Sequence, residues 1–194
     1  MSYSELIDRA ITFASLAHHG QYRESPEKVI PFISYPSAVG FILQRAGYRD
    51  EVVAAGILGC VLEKSETTPG QLMEFGDEVY KLTLSVSEPD KVASQKTRQE
   101  NYYAKFASGD DESRAVALAM NIQRMRHDIA SIKAGYNPCR KLKKGPAQKY
   151  ESWERLILFL ERDNIAHRLK DEYRATLDEL KDRAERAGYM DAPA

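Results

Sequence analysis

Residues 52–62 read VVAAGILGCVL, an apolar stretch without a charged side chain. A helix that is apolar on every side is a buried helix, so this stretch predicts the central helix of the fold. Asp50 precedes it and is a suitable N-terminal cap. The stretch is too short to cross a membrane, which takes about 20 apolar residues. We therefore expect it to form the core of a globular protein.

Helical spacing of apolar residues continues on both sides of this segment, and no strand pattern of useful length alternates between apolar and polar residues. Gly20 is a suitable stop for the first helix, and Pro36 lies in the first turn of the second. Thr68 to Gln71 has the form of a capping box with a proline at the first helical position. The sequence therefore predicts an all-α fold. The remaining predicted helices cover about residues 5–17, 36–47, 68–75, 79–86, the end of 87–112, 116–132, 150–163 and 164–187, with loops at 23–34 and 135–149.

Length and composition fit one soluble domain. The chain has 194 residues and a formal net charge of −1, which argues against binding nucleic acid or membranes through bulk charge. We expect a single domain over residues 1–190 and a disordered tail at 191–194. The two cysteines, Cys60 and Cys139, form no spaced cluster. With no signal region at the start of the sequence, we expect a cytoplasmic protein.

A set of short motifs gives more specific information. Residues 17–23 read AHHGQYR, residues 31–36 read PFISYP, and residues 54–65 read AAGILGCVLEKS. These segments resemble the A-H-x-G-Q-x-R-K, P-Y-I-x-H-P and A-A-x-L-H-D-x-x-E-D-T motifs of the hydrolase domain of RelA/SpoT proteins. That domain also occurs in stand-alone small alarmone hydrolases, including a metazoan SpoT homologue.

Later segments continue the resemblance in the same order. Residues 68–76 resemble the family's T-x-x-x-(I/L)-x-x-x-F-G, and residues 79–87 resemble its V-x-x-L-V-x-x-V-(T/S). Residues 118–126 read LAMNIQRMR and resemble K-L-A-D-(K/R)-L-x-N-(L/M)-R, and residues 150–153 resemble a closing Y-x-x-W. The resemblance covers roughly residues 5–187. It implies an HD-domain-like helical bundle and the hydrolysis of (p)ppGpp to release pyrophosphate from its 3′ position.

The resemblance also implies where a metal would be held. In active members, two histidines and two aspartates bind one Mn²⁺, and we assign their positions to Tyr35, Gly59, Cys60 and Asn121. Gly59 has no ligand atom, Asn121 offers a neutral amide oxygen, and a tyrosine loses its proton only near pH 10. The Cys60 thiol prefers softer metals than Mn²⁺. We therefore expect no metal at these positions and no cofactor, in contrast to the Mn²⁺ of active relatives.

The residues that would activate water have changed as well. The Glu-Asp pair that helps activate water in the family corresponds to Glu63 and Lys64. Without a metal ion to lower the pKa of the water, a lone carboxylate is a poor source of hydroxide. We therefore expect no catalytic residues and interpret Glu63 and Lys64 as a degenerate pair.

Some substrate contacts implied by the resemblance are retained. Arg23, Tyr150, Lys141 and Lys143 are the candidates for binding a nucleotide. Others are lost: Glu24 replaces a lysine of the family's R-K pair, and we assign Met125 to the asparagine of the L-x-N motif.

Two histidine positions have simpler interpretations. His127 and Asp128 form a literal His-Asp dipeptide, but they follow the motif at 118–126 instead of lying in the buried segment. Both fall off the apolar stripe of their helix, so we expect surface positions for them. We expect a structural role for His18.

Three functional hypotheses follow from these residues. The first is a pseudoenzyme that binds a nucleotide, such as a guanosine nucleotide, or a protein partner. The second is an active phosphohydrolase of (p)ppGpp or a related nucleotide, with a rebuilt site that uses Cys60, Glu63 and histidines from elsewhere in the chain. The third is an interaction module in which Tyr35 fills the former metal site. The sequence leaves the oligomeric state open.

Overall fold

The computed structural model describes residues 4–23, 29–87, 94–140, 146–165 and 167–190. It is 72% helical, which confirms the predicted all-α, HD-domain-like fold class. The described elements, in chain order, are α1 (Glu5–Ala17), β1 (Tyr22–Arg23), β2 (Ile30–Pro31), α2 (Ser34–Arg45), α3 (Asp50–Leu58), α4 (Val61–Lys64), α5 (Pro69–Met73), α6 (Asp77–Val86), α7 (Gln95–Ser108), α8 (Asp111–Lys133), α9 (Ala147–Arg162) and α10 (Lys170–Arg186). None of these helices is long and apolar enough to cross a membrane.

The chain divides into two compact units. The first comprises residues 1–23 and 30–120, and the second comprises residues 24–29 and 121–194. The boundary falls within α8, whose residues up to Met120 belong to the first unit and whose residues from Asn121 belong to the second. That the chain is a single domain with a disordered tail stays a prediction, because residues 191–194 lie outside the described part.

The first unit is built around α3, which packs against α1, α2 and α6. Every residue of α3 from Val52 to Leu58 is buried, which confirms the predicted central position. Two details of the prediction were wrong. The helix is interrupted at Gly59 and Cys60 before α4 begins, and Arg49, not Asp50, is the N-terminal cap of α3.

Glycines allow α2 and α3 to pack closely. A Cβ atom on Gly40 would lie 2.7 Å from Cγ1 of Ile57, and one on Gly56 would overlap Cδ1 of Leu43. Because the close packing of protein interiors leaves no room for such overlap, these two glycines set the separation of the helices.

The local signals at helix ends are mostly confirmed. The Thr68 hydroxyl accepts from the Gln71 backbone N–H, and the Gln71 side chain accepts from the Thr68 backbone N–H, which completes the capping box. The segment 23–34, predicted as a loop, contributes to a two-stranded ladder that pairs Tyr22 with Pro31 and Arg23 with Ile30. Strands of two residues are too short to produce an alternating pattern, so sequence periodicity does not reveal them.

In the second unit, α9 and α10 pack against each other. The Tyr173 hydroxyl on α10 donates a hydrogen bond of 3.0 Å to the Trp153 carbonyl on α9. The start of α10 was predicted at 164 but lies at Lys170. Asn164 has a positive φ of 49°, a left-handed conformation that ends α9 and separates it from α10.

Candidate functional site

Tyr35 lies in the first turn of α2 and is only 3% exposed. Its hydroxyl donates a hydrogen bond of 3.3 Å to the Met120 carbonyl. Its ring packs at 5.8 Å from the ring of Phe32, and the guanidinium carbon of Arg23 lies 4.9 Å from the centre of the Tyr35 ring. The Tyr35 hydroxyl therefore acts as a hydrogen-bond donor in the core, and its ring forms a platform for a cation.

Gly59 and Cys60 form the turn between α3 and α4. A Cβ atom on Gly59 would lie 3.1 Å from Sδ of Met120, so the Met120 thioether occupies the space next to this glycine. Cys60 is not part of a disulfide and is 3% exposed. The Gly59 carbonyl accepts a long hydrogen bond of 3.4 Å from the Ser87 hydroxyl. This part of the first unit is thus lined by sulfur, aromatic carbon and neutral polar groups.

Met120 is the residue that the sequence analysis missed. It contacts two of the predicted former ligand positions, because its carbonyl accepts from Tyr35 and its side chain lies beside Gly59. The signal was present in the sequence. When LAM at 118–120 is matched letter by letter to the L-A-D of the motif, the aspartate falls on Met120, one residue before Asn121.

Asn121 is 2% exposed, and its side chain forms hydrogen bonds within the second unit. Its Oδ1 atom accepts from Nε1 of Trp153 at 3.0 Å and from Nη1 of Arg124 at 3.3 Å. Two N–H donors, one of them cationic, thus point at the only atom of this side chain that could ligate a hard metal ion. Asn121 as a former ligand position stays a prediction.

These residues do not suit the relatives' ion. Mn²⁺ prefers carboxylate and imidazole ligands, and binding needs suitable ligand number, charge and geometry together. Tyr35, Gly59, Cys60, Met120 and Asn121 supply neither a carboxylate nor an imidazole. Across the described ranges, no group of three or more His, Cys, Asp and Glu side chains could hold a metal ion.

Glu63 and Lys64, the predicted degenerate water-activating pair, lie on α4. Glu63 is partly exposed and Lys64 is exposed. The Lys64 backbone carbonyl accepts a hydrogen bond of 2.6 Å from Nε2 of Gln21. The end of α4 is therefore tied to the segment that follows α1.

The nucleotide-binding candidates differ in their surroundings. Arg23 is partly exposed in β1 and lies over Tyr35. Tyr150 is 2% exposed, and its hydroxyl accepts a weak hydrogen bond from the Cys139 thiol, with 3.9 Å between the two atoms. Burial raises the pKa of both Tyr150 and Cys139. Lys141 and Lys143, like Glu24, lie outside the described residues.

The surface position predicted for Asp128 was wrong. Asp128 is 5% exposed and forms an ion pair of 2.5 Å with Nζ of Lys149, which also lies 5.1 Å from the centre of the Trp153 ring. The apolar stripe of α8 did not reveal this contact, because the partner comes from α9. Pairing with a lysine offsets part of the cost of burying a carboxylate.

Comparisons with known proteins were made for the whole chain, and no family model matches it. The chain is 30% identical over 120 residues to a guanosine-3′,5′-bis(diphosphate) 3′-pyrophosphohydrolase of Aquifex aeolicus, covering 61% of this chain and 17% of that protein. It is 38% identical over 91 residues to the protein of the same description in Haemophilus influenzae, covering 46% and 13%. The chain thus spans less than a fifth of the length of these relatives.

A solved structure shows a similar fold. It is described as a metazoan orthologue of SpoT that hydrolyses ppGpp, and it matches with a TM-score of 0.75 and 18% identity over 97% of this chain and 99% of that chain. Together, the comparisons confirm the predicted resemblance to the HD-superfamily hydrolase domain of RelA/SpoT proteins.

The comparisons also correct one prediction. We expected the protein to use no cofactor, but its relatives are Mn-dependent ppGpp hydrolases. The poor fit to Mn²⁺ therefore concerns only the residues predicted as former metal ligands, and it does not establish whether the whole protein uses a cofactor.

Proposed function

We propose that this RelA/SpoT-like chain is a catalytically inactive homologue of the ppGpp 3′-pyrophosphohydrolases and acts by binding a guanosine nucleotide. The observation that carries the proposal is the packing of the Met120 thioether beside Gly59. In this proposal Met120, not Asn121, stands at the position of the family's metal-binding aspartate. Gly59, which has no side chain, and the thioether of Met120 then stand where the family has an imidazole and a carboxylate.

The hydrogen bond of Tyr35 supports the same conclusion. To ligate Mn²⁺ well, this phenol would have to lose its proton, but that proton is donated to the Met120 carbonyl. A metal would also be poorly held if Asn121, and not Met120, stood at the fourth ligand position, because the Asn121 Oδ1 atom already accepts hydrogen bonds from Trp153 and Arg124.

The loss of these ligands removes the usual way of activating water. A bound metal ion lowers the pKa of its water to about 7 in favourable sites. Glu63 would have to generate hydroxide alone, with Lys64 in place of the second carboxylate of the family. The hydrolytic step is therefore the part of the family's function that this chain lacks.

Nucleotide binding is supported by the names of the relatives and by Arg23. Relatives that match up to 62% of the chain are named for a guanosine nucleotide. Arg23 is partly exposed, and a guanidinium group binds phosphate through paired N–H donors. Its position over the Tyr35 ring restricts the conformations of its side chain, which lowers the entropic cost of binding.

Two measurements on the purified chain test the proposal. With Mn²⁺ present, ppGpp is expected to release no pyrophosphate above the buffer control. In calorimetry, ppGpp is expected to bind to the native chain and to bind more weakly to Arg23→Ala, whereas Arg45→Ala, at the exposed end of α2, is the matched control. Hydrolysis would support the rebuilt phosphohydrolase, and failure of ppGpp, GDP and GTP to bind would support a protein-interaction module.

A further inference from the structure

His18 lies immediately after α1 and connects this helix to α4. The ring is 2% exposed, and its Nδ1 atom lies 3.0 Å from Oε1 of Gln21. The Gln21 amide donates through Nε2 to the Lys64 carbonyl at 2.6 Å, so its Oε1 atom is the acceptor for His18. This network assigns the proton of the neutral imidazole to Nδ1. The side chains of His18 and Gln21 thus join the end of α1 to the end of α4.

The other ring nitrogen has no such partner. Nε2 of His18 is buried and has no hydrogen bond within the described part of the chain. The ring packs against Phe32, with 4.6 Å between the ring centres. If the imidazole took up a proton at Nε2, a charged N–H group would be buried against an aromatic ring without an acceptor, which is costly.

The charged groups near this connection do not offset that cost. Lys64 and Glu63 belong to α4, Arg23 belongs to β1, and His19 is the exposed neighbour on the chain. Burial lowers the pKa of His18 and is the larger influence, and the Gln21 hydrogen bond raises it. The protonated ring therefore gains no counter-ion from these elements.

We propose that His18 and Gln21 form a pH-sensitive latch between α1 and α4, closed while the imidazole is neutral and opened by protonation of its buried Nε2 atom. When the latch opens, the His18 ring loses its contact with the Phe32 ring and Gln21 releases the Lys64 carbonyl. Because α4 directly follows the Gly59–Cys60 turn, acidification loosens one side of the candidate site. This inference does not depend on whether the chain hydrolyses ppGpp.

The direction of the pH dependence follows from linkage. A histidine whose pKa is lower in the folded state binds its proton more readily when released, so folded stability is lost as the pH falls below the ordinary value of about 6.5. The loss continues until the pH reaches the lowered pKa of the buried ring. Above about pH 7 the latch is closed and contributes no pH dependence.

Hydrogen exchange on the full chain tests the latch. The probes are the Lys64 and Ser65 amides, which donate to the Cys60 and Val61 carbonyls within α4. After correction for intrinsic exchange, both should lose protection between about pH 7.5 and pH 5.5, across the range in which histidine titrates. This loss of protection on acidification should persist in the control His19→Gln. It should disappear in His18→Gln, which keeps a polar side chain but cannot titrate.

A second measurement needs no variant. Nitrogen-15 NMR of the imidazole rings reports the tautomer and the pKa of each histidine in the native chain. The latch predicts a proton on Nδ1 of His18 at neutral pH and a pKa below the ordinary histidine value. A proton on Nε2, a pKa at or above that value, or unchanged acid sensitivity of Lys64 and Ser65 in His18→Gln would overturn it.

Discussion

At the residue scale, Gly59 and Met120 are complementary in size. The glycine leaves a space that the methionine side chain enters, with its sulfur 3.1 Å from the position of a Cβ atom. Gly59 has an ordinary helical φ of −56°, so a larger residue there is limited by the neighbouring side chain and not by backbone strain. The two positions should therefore be energetically coupled.

A double-mutant cycle measures this coupling. Gly59→His should lower the free energy of unfolding by roughly 1–3 kcal/mol through overpacking, and Met120→Ala should lower it by roughly 2–5 kcal/mol. The combined variant should lose less than the sum, by about 1 kcal/mol or more, as measured by urea unfolding. Met73, which is 51% exposed, provides the control, because Met73→Ala should show no coupling to Gly59→His. Simple additivity with Met120→Ala would contradict the proposed packing.

A second prediction at this scale concerns Asp128. Its side chain is 7% exposed and that of Lys149 is 27% exposed, so the pair is only partly open to solvent. Asp128→Ala should cost about 2–3 kcal/mol, somewhat less than breaking a fully buried pair. Asp182→Ala removes an exposed pair with Arg186 in α10 and should change the free energy of unfolding by less than about 1 kcal/mol. Equal effects in the two variants would show that Asp128 contributes no more than a surface charge.

At the element scale, a lysine side chain from α7 donates hydrogen bonds to carbonyl groups at the end of α6. Nζ of Lys105 on α7 donates to the Ser87 carbonyl at 2.6 Å and to the Leu84 carbonyl at 3.3 Å. Carbonyl groups at the end of a helix lack partners within the helix, and a cation there also interacts favourably with the helix dipole. Lys105 thus links α7 to the carbonyl groups at the end of α6.

Lys105→Met tests this interaction, because it keeps the length of the side chain and removes the charged donor. The expected cost is about 1–2 kcal/mol, in the range of a charge-assisted hydrogen bond. Lys96→Met lies on the same helix, where its side chain is 86% exposed and pairs with Glu100, and it should cost less than about 0.5 kcal/mol. Thermal unfolding that gives the same midpoint for both variants would exclude a capping role for Lys105.

Element boundaries also show what the sequence could and could not predict. The all-apolar stretch predicted a buried central helix, and α3 is buried from Val52 to Leu58. The interruption at Gly59 and Cys60 was missed because hydrophobicity does not change across it. The capping box at Thr68 was predictable because its hydrogen bonds are local. The ion pair of Asp128 was not, because Lys149 is 21 residues away.

At the scale of the whole molecule, the order of the motifs was sufficient to predict the family resemblance and the all-α fold class. The site was less predictable, because a shift of one residue in one motif changes the side chain that is compared with the family's aspartate. The contacts of Met120 with Tyr35 and Gly59 are the basis for the proposed register. Assigning Met120 to the family's aspartate leads to a prediction that differs from the one made by assigning Asn121.

Two matched reversions distinguish the registers. The variant Tyr35→His, Gly59→His, Cys60→Asp, Met120→Asp restores the family's ligand types with Met120 as the fourth position. Its control carries the first three changes with Asn121→Asp. The first should gain binding of Mn²⁺ in calorimetry and the second should not, because the Asn121 side chain points to Trp153 and Arg124. Circular dichroism verifies that both variants are folded, and Mn²⁺ binding by the second alone would restore the original assignment.

The most direct test of the central claim is the release of pyrophosphate from ppGpp by the native chain in the presence of Mn²⁺. The proposed loss of the ligand set predicts no release above the buffer control, including at high protein concentration. A turnover that requires Mn²⁺ and stops on chelation would contradict the claim that this chain has lost the catalytic step of its relatives.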